Sequence, residues 1–508
     1  MPEKKESGQW ILLIAVFAIA TCGLVYELVA GTLASYMLGD SVTQFSTIIG
    51  AYLFSMGIGS FLSKYINGNL LAWFIKIELL VGVVGGFSAA ILFVLFPLVE
   101  SFRLVLYAFV AITGILVGLE IPLLMRILQN KVEFKDLVSR VFTFDYIGAL
   151  LASLVFPLIF VPHLGLIKTS LFFGILNTAV GFYVCYYFRQ YLGQARYLRF
   201  LCAIIIFIQV IGFVFSEKIM DYAERQSFSD DIVFANSTPY QRIVITRNKK
   251  ETRLFLNGNL QFSSADEYRY HEALVHPALS SIINPRKILV LGGGDGLAVR
   301  EILKYPGIQS ITLVDLDPAM TRIFSKQERL LQLNHRSLLD KKVTVINADA
   351  FTWMMKNQAA FDAVIVDFPD PSNFSIGKLY SNSFYKLLNR SLTPDGIAVV
   401  QSTSPFVAPK SFWCVNSTLQ SAGLQTVPYH NFVPSFGEWG YIMAMKSTNR
   451  DWYKNIPANL RFVNKPAVET MLFFSEDMKP RDSIQINKLN NQALVHYFEE
   501  EWNKYLDI

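Results

Sequence analysis

Long apolar runs fill the first 220 residues of this 508-residue chain, and they constrain its fold more than any other feature. Seven runs lie at about residues 10–33, 42–63, 73–96, 103–126, 141–162, 166–188 and 198–216. A helix rises about 1.5 Å per residue, so roughly 20 apolar residues cross a hydrocarbon core of about 30 Å. The pattern predicts a multi-pass transmembrane domain of about seven helices at residues 1–220. The first run is too long, and too soon followed by the second, to be a cleaved signal peptide.

The composition supports this interpretation and excludes other classes of protein. The chain is 52% hydrophobic and 17% charged, which is too apolar for a wholly soluble protein. Its net charge of +5 is ordinary for loops that anchor a membrane protein and does not indicate nucleic-acid binding. Cys22, Cys185, Cys202 and Cys414 show no paired spacing, so neither a zinc site nor a disulfide framework is predicted.

The second half of the chain has the alternating pattern of an α/β protein. Residues 221–285 are expected to hold a connecting segment, a small antiparallel β unit over 231–262 and a lead-in helix. Strand-like and helix-like stretches then alternate through residues 286–450, which predicts a parallel sheet with crossover helices. Residues 451–508 form a C-terminal extension.

Acidic residues follow the ends of the predicted strands. They are Asp295, Asp315, Asp349, Asp367 and Asp370. Ligands of open parallel sheets bind beyond the carboxyl ends of the strands, so these carboxylates are expected to surround one crevice. Like charges that lie close together in a dry site repel one another strongly, and the ligand should therefore be cationic. Asp317 precedes Pro318 and is instead predicted to cap a helix.

The turn after the first strand contains Gly292, Gly293, Gly294 and Gly296, with Asp295 between the last two. This G-x-G-x-G spacing departs from the G-x-G-x-x-G of dinucleotide sites, and a carboxylate at a helix N-terminus would repel a pyrophosphate. Asp315 is placed to accept the hydroxyls of a ribose, and Asp349 to accept from an exocyclic amine of adenine. The residues thus favour an adenosine without phosphates, joined to a sulfonium.

Several segments of the second half resemble the polyamine aminopropyltransferases, the spermidine synthase family. They are YHEALVHPAL, RKILVLGGGDGLAVREILKYPGIQSITLVDLDP, INADAF, FDAVIVDFPDPS, LYSNSFYKLL and GIAVVQS, within about residues 236–445. The resemblance implies an α/β Rossmann-like, methyltransferase-type domain preceded by a small β unit. It also implies decarboxylated S-adenosylmethionine as the donor, an amine such as putrescine as the acceptor, and no metal or other cofactor. The products would be spermidine and methylthioadenosine.

The resemblance also implies roles for single residues. Asp367 matches the catalytic base, and Asp370 matches the second acid that holds the acceptor. Gln241 matches a glutamine near the methionine-like arm, whereas Tyr270 and His271 match a pair that contacts donor and amine. Asp295 and Asp367 would repel the carboxylate of ordinary S-adenosylmethionine and pair with the propyl ammonium of the decarboxylated form.

The chain departs from the family pattern on the acceptor side. Phe368 and Pro369 separate the two acids where serines are usual, and Phe436 replaces a tyrosine that would contact the amine. Acceptor identity therefore stays open. Glu438 is read either as a compensating negative charge or as an exposed loop residue, and the stretch PSNFSIGKLYS after Asp370 as a loop that closes over the site. An S-adenosylmethionine-dependent methyltransferase and a polyamine transporter or sensor are the alternative functions; Asp295 argues against the first.

Acids also occur within or at the ends of the apolar runs. They are Glu27, Glu78, Glu120 and Asp145, for which Lys76 and Arg103 are candidate partners. An ionised carboxylate at mid-bilayer costs at least ~2.5 kcal/mol, so such acids usually have a partner or a function. They either anchor and pack the helices or line a path for polyamines.

The expected location is a cell membrane, the bacterial inner membrane, with the lipid bilayer, a polyamine and the sulfonium donor as partners and no nucleic acid. Basic residues after the fourth and sixth runs place those loops and the N-terminus in the cytoplasm. Seven crossings would then export the second half, whereas its substrates favour the cytoplasm, which is the side we expect. A homodimer is left open.

Overall fold

The computed structural model describes residues 3–38, 41–99, 101–129, 133–447, 453–480 and 483–506. The chain divides into two compact units, Met1–Ser229 and Asp230–Ile508. Composition predicts a boundary at residue 220. The division lies later because the chain continues after the last apolar run as an amphipathic helix, Ser216–Ser227, which packs within the first unit.

The first unit is helical throughout its described length. Its helices are α1 (Glu3–Leu38), α2 (Ser41–Leu62), α3 (Leu70–Leu95), α4 (Phe102–Leu128), α5 (Phe134–Val155), α6 (Val161–Tyr187), α7 (Ala195–Val214) and α8 (Ser216–Ser227). Glycines allow close approach of neighbouring helices. A Cβ atom on Gly118 of α4 would lie 2.2 Å from the Met56 carbonyl oxygen of α2, and one on Gly86 of α3 would lie 3.0 Å from the Gly174 Cα of α6.

Six helical stretches of the described residues are long and apolar enough to cross a membrane, judged by length and composition. They are Trp10–Leu38, Thr43–Tyr65, Leu70–Leu95, Phe102–Leu128, Phe134–Tyr187 and Ala195–Val214. The fifth stretch has 54 residues, far more than one crossing needs. It contains both α5 and α6, joined by a π-helical turn at Phe156–Phe160, and Gly165 breaks the helical path with φ 70° and ψ 177°. Two of the seven predicted runs fall in this one stretch.

The second unit begins with the small β unit, and its prediction is confirmed. Four antiparallel strands pair in the order β1 (Asp231–Ser237), β2 (Arg242–Arg247), β3 (Thr252–Leu256) and β4 (Asn259–Ser263). The β3–β4 turn places Asn257 and Gly258 at positive φ, as an Asn-Gly hairpin turn requires. Helix α9 (Glu267–Leu279) then leads to the larger sheet.

The larger sheet has seven strands in the order β10-β11-β9-β8-β5-β6-β7. The strands β5 (Lys287–Gly292), β6 (Ser310–Asp315), β7 (Val343–Asn347), β8 (Phe361–Asp367) and β9 (Leu392–Gln401) are parallel, as the sequence predicts. β10 (Gln425–Val433) and β11 (Gly437–Met445) add an antiparallel edge that the sequence pattern did not indicate. The crossover helices are α10 (Leu297–Ile302), α11 (Pro318–Phe324), α12 (Glu328–Leu333), α13 (Ala350–Lys356), α14 (Phe374–Gly377), α15 (Asn382–Ser391) and α16 (Pro409–Ser421). This arrangement is Rossmann-like.

Both faces of the parallel sheet are buried, which explains the unbroken apolar runs of its strands. Along β5, Ile288 and Val290 point into the core shared with α9 and α10, whereas Leu289 and Leu291 point into the core shared with α15 and α16. The chain ends with α17 (Lys465–Met471) and α18 (Ala493–Leu506), and α18 packs on α16.

Candidate active site

The glycine turn lies at the carboxyl end of β5, where its backbone contacts the neighbouring strand β8. Gly292 pairs with Asp367 across the two parallel strands. A Cβ atom on Gly292 would lie 2.2 Å from the Asp367 carbonyl oxygen, and Gly292, Gly293 and Gly296 all have positive φ. Side chains at these positions would be strained or would clash, so glycine is required for the turn to form.

Asp295 lies within this turn, and the Asp315 carboxylate lies beside Gly294. The Asp315 carboxylate accepts from the backbone N–H groups of Gly294, at 3.0 Å, and Asp317, at 2.9 Å, whereas Asp295 accepts from Leu297 at 2.9 Å. Burial raises the pKa of both carboxyl groups to about 6. The positive charge of His271 opposes this rise at Asp295, and the backbone N–H groups oppose it at Asp315. Both acids are thus held ready for a positive or hydroxyl-bearing ligand.

His271 supplies a positive charge that the spacing of the acids in the sequence does not indicate. It lies on α9, is buried, and bonds through Nδ1 to the Glu267 carboxylate at 2.8 Å. Arg300 holds the same carboxylate from the other side with two contacts of 2.9 Å. Burial lowers the pKa of His271, but Glu267, Asp295 and Asp367 outweigh burial and raise it to about 9. The protein therefore neutralises part of its acid cluster with its own imidazolium.

Asp367 ends β8 and is held by Tyr270. The Tyr270 hydroxyl donates to Asp367 Oδ1 at 2.6 Å, and the tyrosine ring packs against His271, with ring centroids 5.0 Å apart. Burial raises the pKa of Asp367, while His271 and the Tyr270 hydroxyl oppose that rise. A carboxylate with a raised pKa is a stronger base than an ordinary aspartate, and one of its oxygens already has a fixed orientation.

Asp370 lies three residues beyond the strand end in a polar pocket that sequence reasoning missed. Gln401, at the end of β9, contacts the Asp370 carboxylate at 3.4 Å and bonds the Phe368 carbonyl and the Tyr380 hydroxyl. Thr403 contacts Asp370 at 3.5 Å and has φ 55°. Burial raises the pKa of Asp370 to about 7, against the opposing contacts of Gln401 and Thr403. The position of Gln401 at the end of the strand-like stretch GIAVVQS was the feature of the sequence that could have predicted its contact with Asp370.

The turn between β10 and β11 presents Phe436 to the same region. Its ring centroid lies 6.0 Å from that of Tyr270 and 5.1 Å from that of Trp439. The expectation that Glu438 is an exposed loop residue is wrong, whereas its role as a compensating negative charge stays a prediction. Its carboxylate pairs with His430 Nδ1 at 2.5 Å and is mostly buried, because residues 437 and 438 belong to a paired strand and not to a loop.

Asp349 and Gln241 already have protein partners. Asp349 caps α13 through the Thr352 N–H and pairs with Lys378 Nζ at 2.8 Å. Burial raises the pKa of Asp349, but these two contacts outweigh burial and lower it. Gln241 donates to Asp317 at 3.1 Å, and Asp317 caps α11 as predicted. The contacts of Asp349 with Thr352 and Lys378 leave part of the carboxylate's capacity to accept hydrogen bonds unused.

The stretch expected to close over the site is packed in this structure. Asn373 caps α14, and a 3₁₀ turn over Lys378–Tyr380 follows. Tyr380 is fully buried and donates to the Pro369 carbonyl at 3.1 Å. A Cβ atom on Gly377 would lie 2.4 Å from Val495 of α18, so the segment is anchored by the C-terminal extension.

No cluster of three or more metal-ligating side chains occurs within the part of the chain that the structure describes. Backbone N–H groups and the Tyr270 hydroxyl donate to the acids of the crevice, and the His271 imidazolium offsets part of their negative charge.

Known proteins are similar to this chain over nearly its whole length. A family profile described as the spermine/spermidine synthase domain matches residues 267–455. Polyamine aminopropyltransferase 1 of Ralstonia nicotianae is 53% identical over 99% of this chain and 98% of its own length. The polyamine aminopropyltransferases of Leptospira interrogans and Mycobacterium tuberculosis are 51% and 38% identical, each over 98% of this chain and at least 98% of their own length.

A crystal structure of a spermidine synthase in complex with the transition-state analogue AdoDATO is 24% identical. It covers 48% of this chain and 85% of its own, with a TM-score of 0.46. Because relatives that match over nearly their full length are 38–53% identical, this chain belongs to the polyamine aminopropyltransferase family and is a transferase of the spermidine synthase group.

Proposed function

We propose that this transferase moves the aminopropyl group of decarboxylated S-adenosylmethionine to putrescine, with Asp367 as the base. The observation that carries the proposal is the placement of Asp367. It is paired in register with the glycine turn, bonded by Tyr270 and within the electrostatic reach of Asp295 and His271. Donor-side and acceptor-side groups thus meet at the carboxyl ends of two adjacent strands.

The donor side selects by charge. Asp315 accepts the ribose hydroxyls, and Asp295 pairs with the propyl ammonium of the decarboxylated donor. Ordinary S-adenosylmethionine would bring a carboxylate against Asp295, and this repulsion disfavours it. Gln241 orients the same arm, and Asp349 accepts from the adenine amine while Lys378 keeps it ionised.

The acceptor side delivers a neutral amine nitrogen to the carbon beside sulfur. Asp370 holds the distal ammonium of the diamine, and Asp367 takes a proton from the reacting end. The nitrogen lone pair forms the new C–N bond while the C–S bond breaks, and its electron pair passes to sulfur, which releases neutral methylthioadenosine. The raised pKa of Asp367 favours this proton transfer.

The six apolar stretches support a further proposal, that the first unit spans a membrane. Their lengths match a hydrocarbon core, and many of their large apolar side chains, among them Phe54, Leu104 and Phe207, are exposed within the first unit. We place the protein in the bacterial inner membrane with the catalytic unit in the cytoplasm, where a polyamine and a nucleoside sulfonium are available.

The test is a mass-spectrometric assay of the full-length protein for methylthioadenosine. Decarboxylated donor is supplied with putrescine or with other diamines and triamines. We expect release with putrescine and none with ordinary S-adenosylmethionine. Methyl transfer from the ordinary donor, or release with every amine except putrescine, would contradict the proposal.

A further inference from the structure

Two glutamates meet inside the first unit, outside the site described above. α3 and α4 pack together, and Glu78 of α3 and Glu120 of α4 are 0% and 1% exposed and interact electrostatically with each other. The basic partners expected from the sequence are not there. Lys76 is on the exposed side of α3, with its ammonium 4.9 Å from the centroid of the Trp73 ring, and Arg103 is exposed.

Asn177 of α6 is the actual partner of Glu78. Its Nδ2 donates to Glu78 Oε2 at 2.8 Å and to the Glu78 backbone carbonyl at 3.0 Å. These two bonds identify which amide atom is the nitrogen. The other atom, Oδ1, is therefore the oxygen and can only accept. Asn177 is fully buried, and Oδ1 has no partner among the described residues. Gly181, one turn further along α6, permits this approach, because a Cβ atom there would lie 3.2 Å from Glu78 Cβ.

The unsatisfied atoms of this cluster are nearly all acceptors. Within the described residues, Glu78 Oε1, both Glu120 oxygens and Asn177 Oδ1 lack a hydrogen-bond donor, and so does the hydroxyl of Tyr26. Tyr26 of α1 interacts electrostatically with both glutamates and is 3% exposed. Side chains of four helices thus carry buried polar atoms that have no donor among the described residues, and a cation that donates several hydrogen bonds would match these atoms in type.

We propose that Glu78, Glu120 and Asn177 bind a primary ammonium group, the end of a polyamine, inside the helical unit. One proton shared between the glutamates leaves the pair with a single negative charge, which one ammonium balances. The shared proton satisfies at most one oxygen of each acid, and the three N–H donors of an ammonium match the acceptors that remain. A site for a divalent metal would need further acidic or imidazole ligands, and the described residues offer no group of three.

This site is separate from the catalytic crevice and has its own ligand stoichiometry. Only the choice of a polyamine as the bearer of the ammonium rests on the proposed function; the site itself follows from the unpaired acceptors. The probe is radiolabelled putrescine, and the protein is the full chain reconstituted in lipid nanodiscs. Equilibrium binding counts the sites per chain, while methylthioadenosine release is measured on the same samples.

We expect the double variant Glu78→Gln/Glu120→Gln to bind one putrescine fewer per chain than the wild type, with turnover unchanged. Glu133→Gln is the matched control, because it removes a charge from an exposed ion pair of the same unit. Asn177→Leu provides a second variant that keeps both acids, and about tenfold weaker binding at this site is expected from the loss of one charge-assisted contact.

An unchanged number of sites in the double variant, with the variant reconstituted as the wild type is, would overturn the inference. In another outcome, the double variant loses a site while the wild type shows no turnover. That result would support the inference and refute the proposed catalytic function. Loss of a site in Glu133→Gln as well would assign the effect to the net charge of the unit and would also overturn the inference.

Discussion

The buried carboxyl group of Asp295 affects both the stability of the fold and the charge of the site. Burial raises its pKa to about 6, so the folded protein holds its proton to a higher pH than the unfolded chain does. This buried carboxyl group therefore stabilises the fold least at neutral pH, where it is ionised, and most at acidic pH, where it is protonated. We infer that the fold loses stability at neutral pH because Asp295 is ionised there, the form that would pair with a cationic donor.

The first prediction concerns donor affinity and pH. Binding of decarboxylated S-adenosylmethionine should strengthen as pH rises from 5 to 7.5, because Asp295 loses its proton near pH 6 and then pairs with the ammonium. Asp315, with the same raised pKa, acts in the same direction. Calorimetric titration across this range measures the effect, and in Asp295→Asn we expect a much flatter profile. An unaltered profile in that variant would remove Asp295 from its role.

The second prediction separates binding from chemistry at Asp367. Asp367→Asn keeps the size of the side chain and an oxygen that can accept from Tyr270, but it removes the base. Turnover should fall by at least about 10²-fold, a typical contribution of general base catalysis, while donor affinity weakens far less. Single-turnover assays and donor titrations on one preparation provide both numbers. Turnover at the wild-type rate in the variant would show that Asp367 is not the base.

The acids at the carboxyl ends of the strands could be predicted from local sequence, because they follow the strands directly and a strand end is a local feature. Asp295, Asp315 and Asp367 were found in this way. Gln401 and Thr403 were not, since their importance depends on β9 lying beside β8. The charge of His271 was missed for a related reason. It depends on Glu267 and Arg300, which come together only when α9 packs on α10.

At the scale of elements, the C-terminal helix α18 supports the acceptor side of the sheet. Glu501 accepts from the backbone N–H groups of Lys410, at 2.8 Å, and Ser411, at 3.0 Å, and so caps α16 from a distant part of the chain. Trp502 donates through its indole N–H to Thr403 at 3.3 Å, and Thr403 contacts Asp370. A helix beyond the matched family domain thus reaches the acid assigned to the amine.

The third prediction tests this helix. Glu501→Ala should destabilise the second unit by about 1–2 kcal/mol, as loss of a helix cap does, and thermal unfolding measures the change. Glu500→Ala is the control, because its exposed contact with Lys410 at 3.4 Å contributes little. Equal effects of the two substitutions would contradict the capping role.

The fourth prediction uses the neighbouring residue Trp502. Trp502→Phe keeps an aromatic ring against the core but removes the bond to Thr403, so the KM for the amine should rise several-fold while donor affinity is unchanged. Steady-state kinetics with each substrate varied in turn distinguishes the two. A KM that rises for the donor instead would show that α18 does not act through Asp370.

The antiparallel edge was the least predictable element. β10 contains Pro428, His430 and Asn431, which interrupt the alternation by which strands are recognised. Its pairing with β11 supplies the hydrogen bonds that its composition does not suggest. By contrast, β5, β6 and β8 are apolar on both faces and are bounded by turns, so their prediction needed no tertiary information.

At the scale of the whole molecule, two halves of different composition form two compact units. Composition alone predicted this organisation, because apolar density changes sharply near residue 220. The number of membrane crossings does not follow from composition in the same way. Seven apolar runs correspond to six helical stretches, and the stretch that holds two of them is interrupted at Gly165.

The fifth prediction addresses orientation. A green fluorescent protein fused after the C-terminus should fluoresce in bacterial cells, because this reporter folds in the cytoplasm and not after export. An alkaline phosphatase fusion at the same point should be inactive. Fusions in the loop between α6 and α7 should give the opposite result, because α7 is one of the proposed crossings and separates that loop from the second unit. Phosphatase activity at the C-terminus would place the catalytic unit outside.

The hairpin turn that carries Phe436 has a consequence for how such enzymes diversify. The groups assigned to the nucleoside sulfonium come from β5, β6 and their turns, whereas Phe436 is held by two edge strands on the opposite side of the sheet. Under the proposed function, substitutions at the tip of that hairpin would reshape the surface that receives the amine, while the groups assigned to the sulfonium stay unchanged. A different acceptor amine would then require changes in this one turn alone.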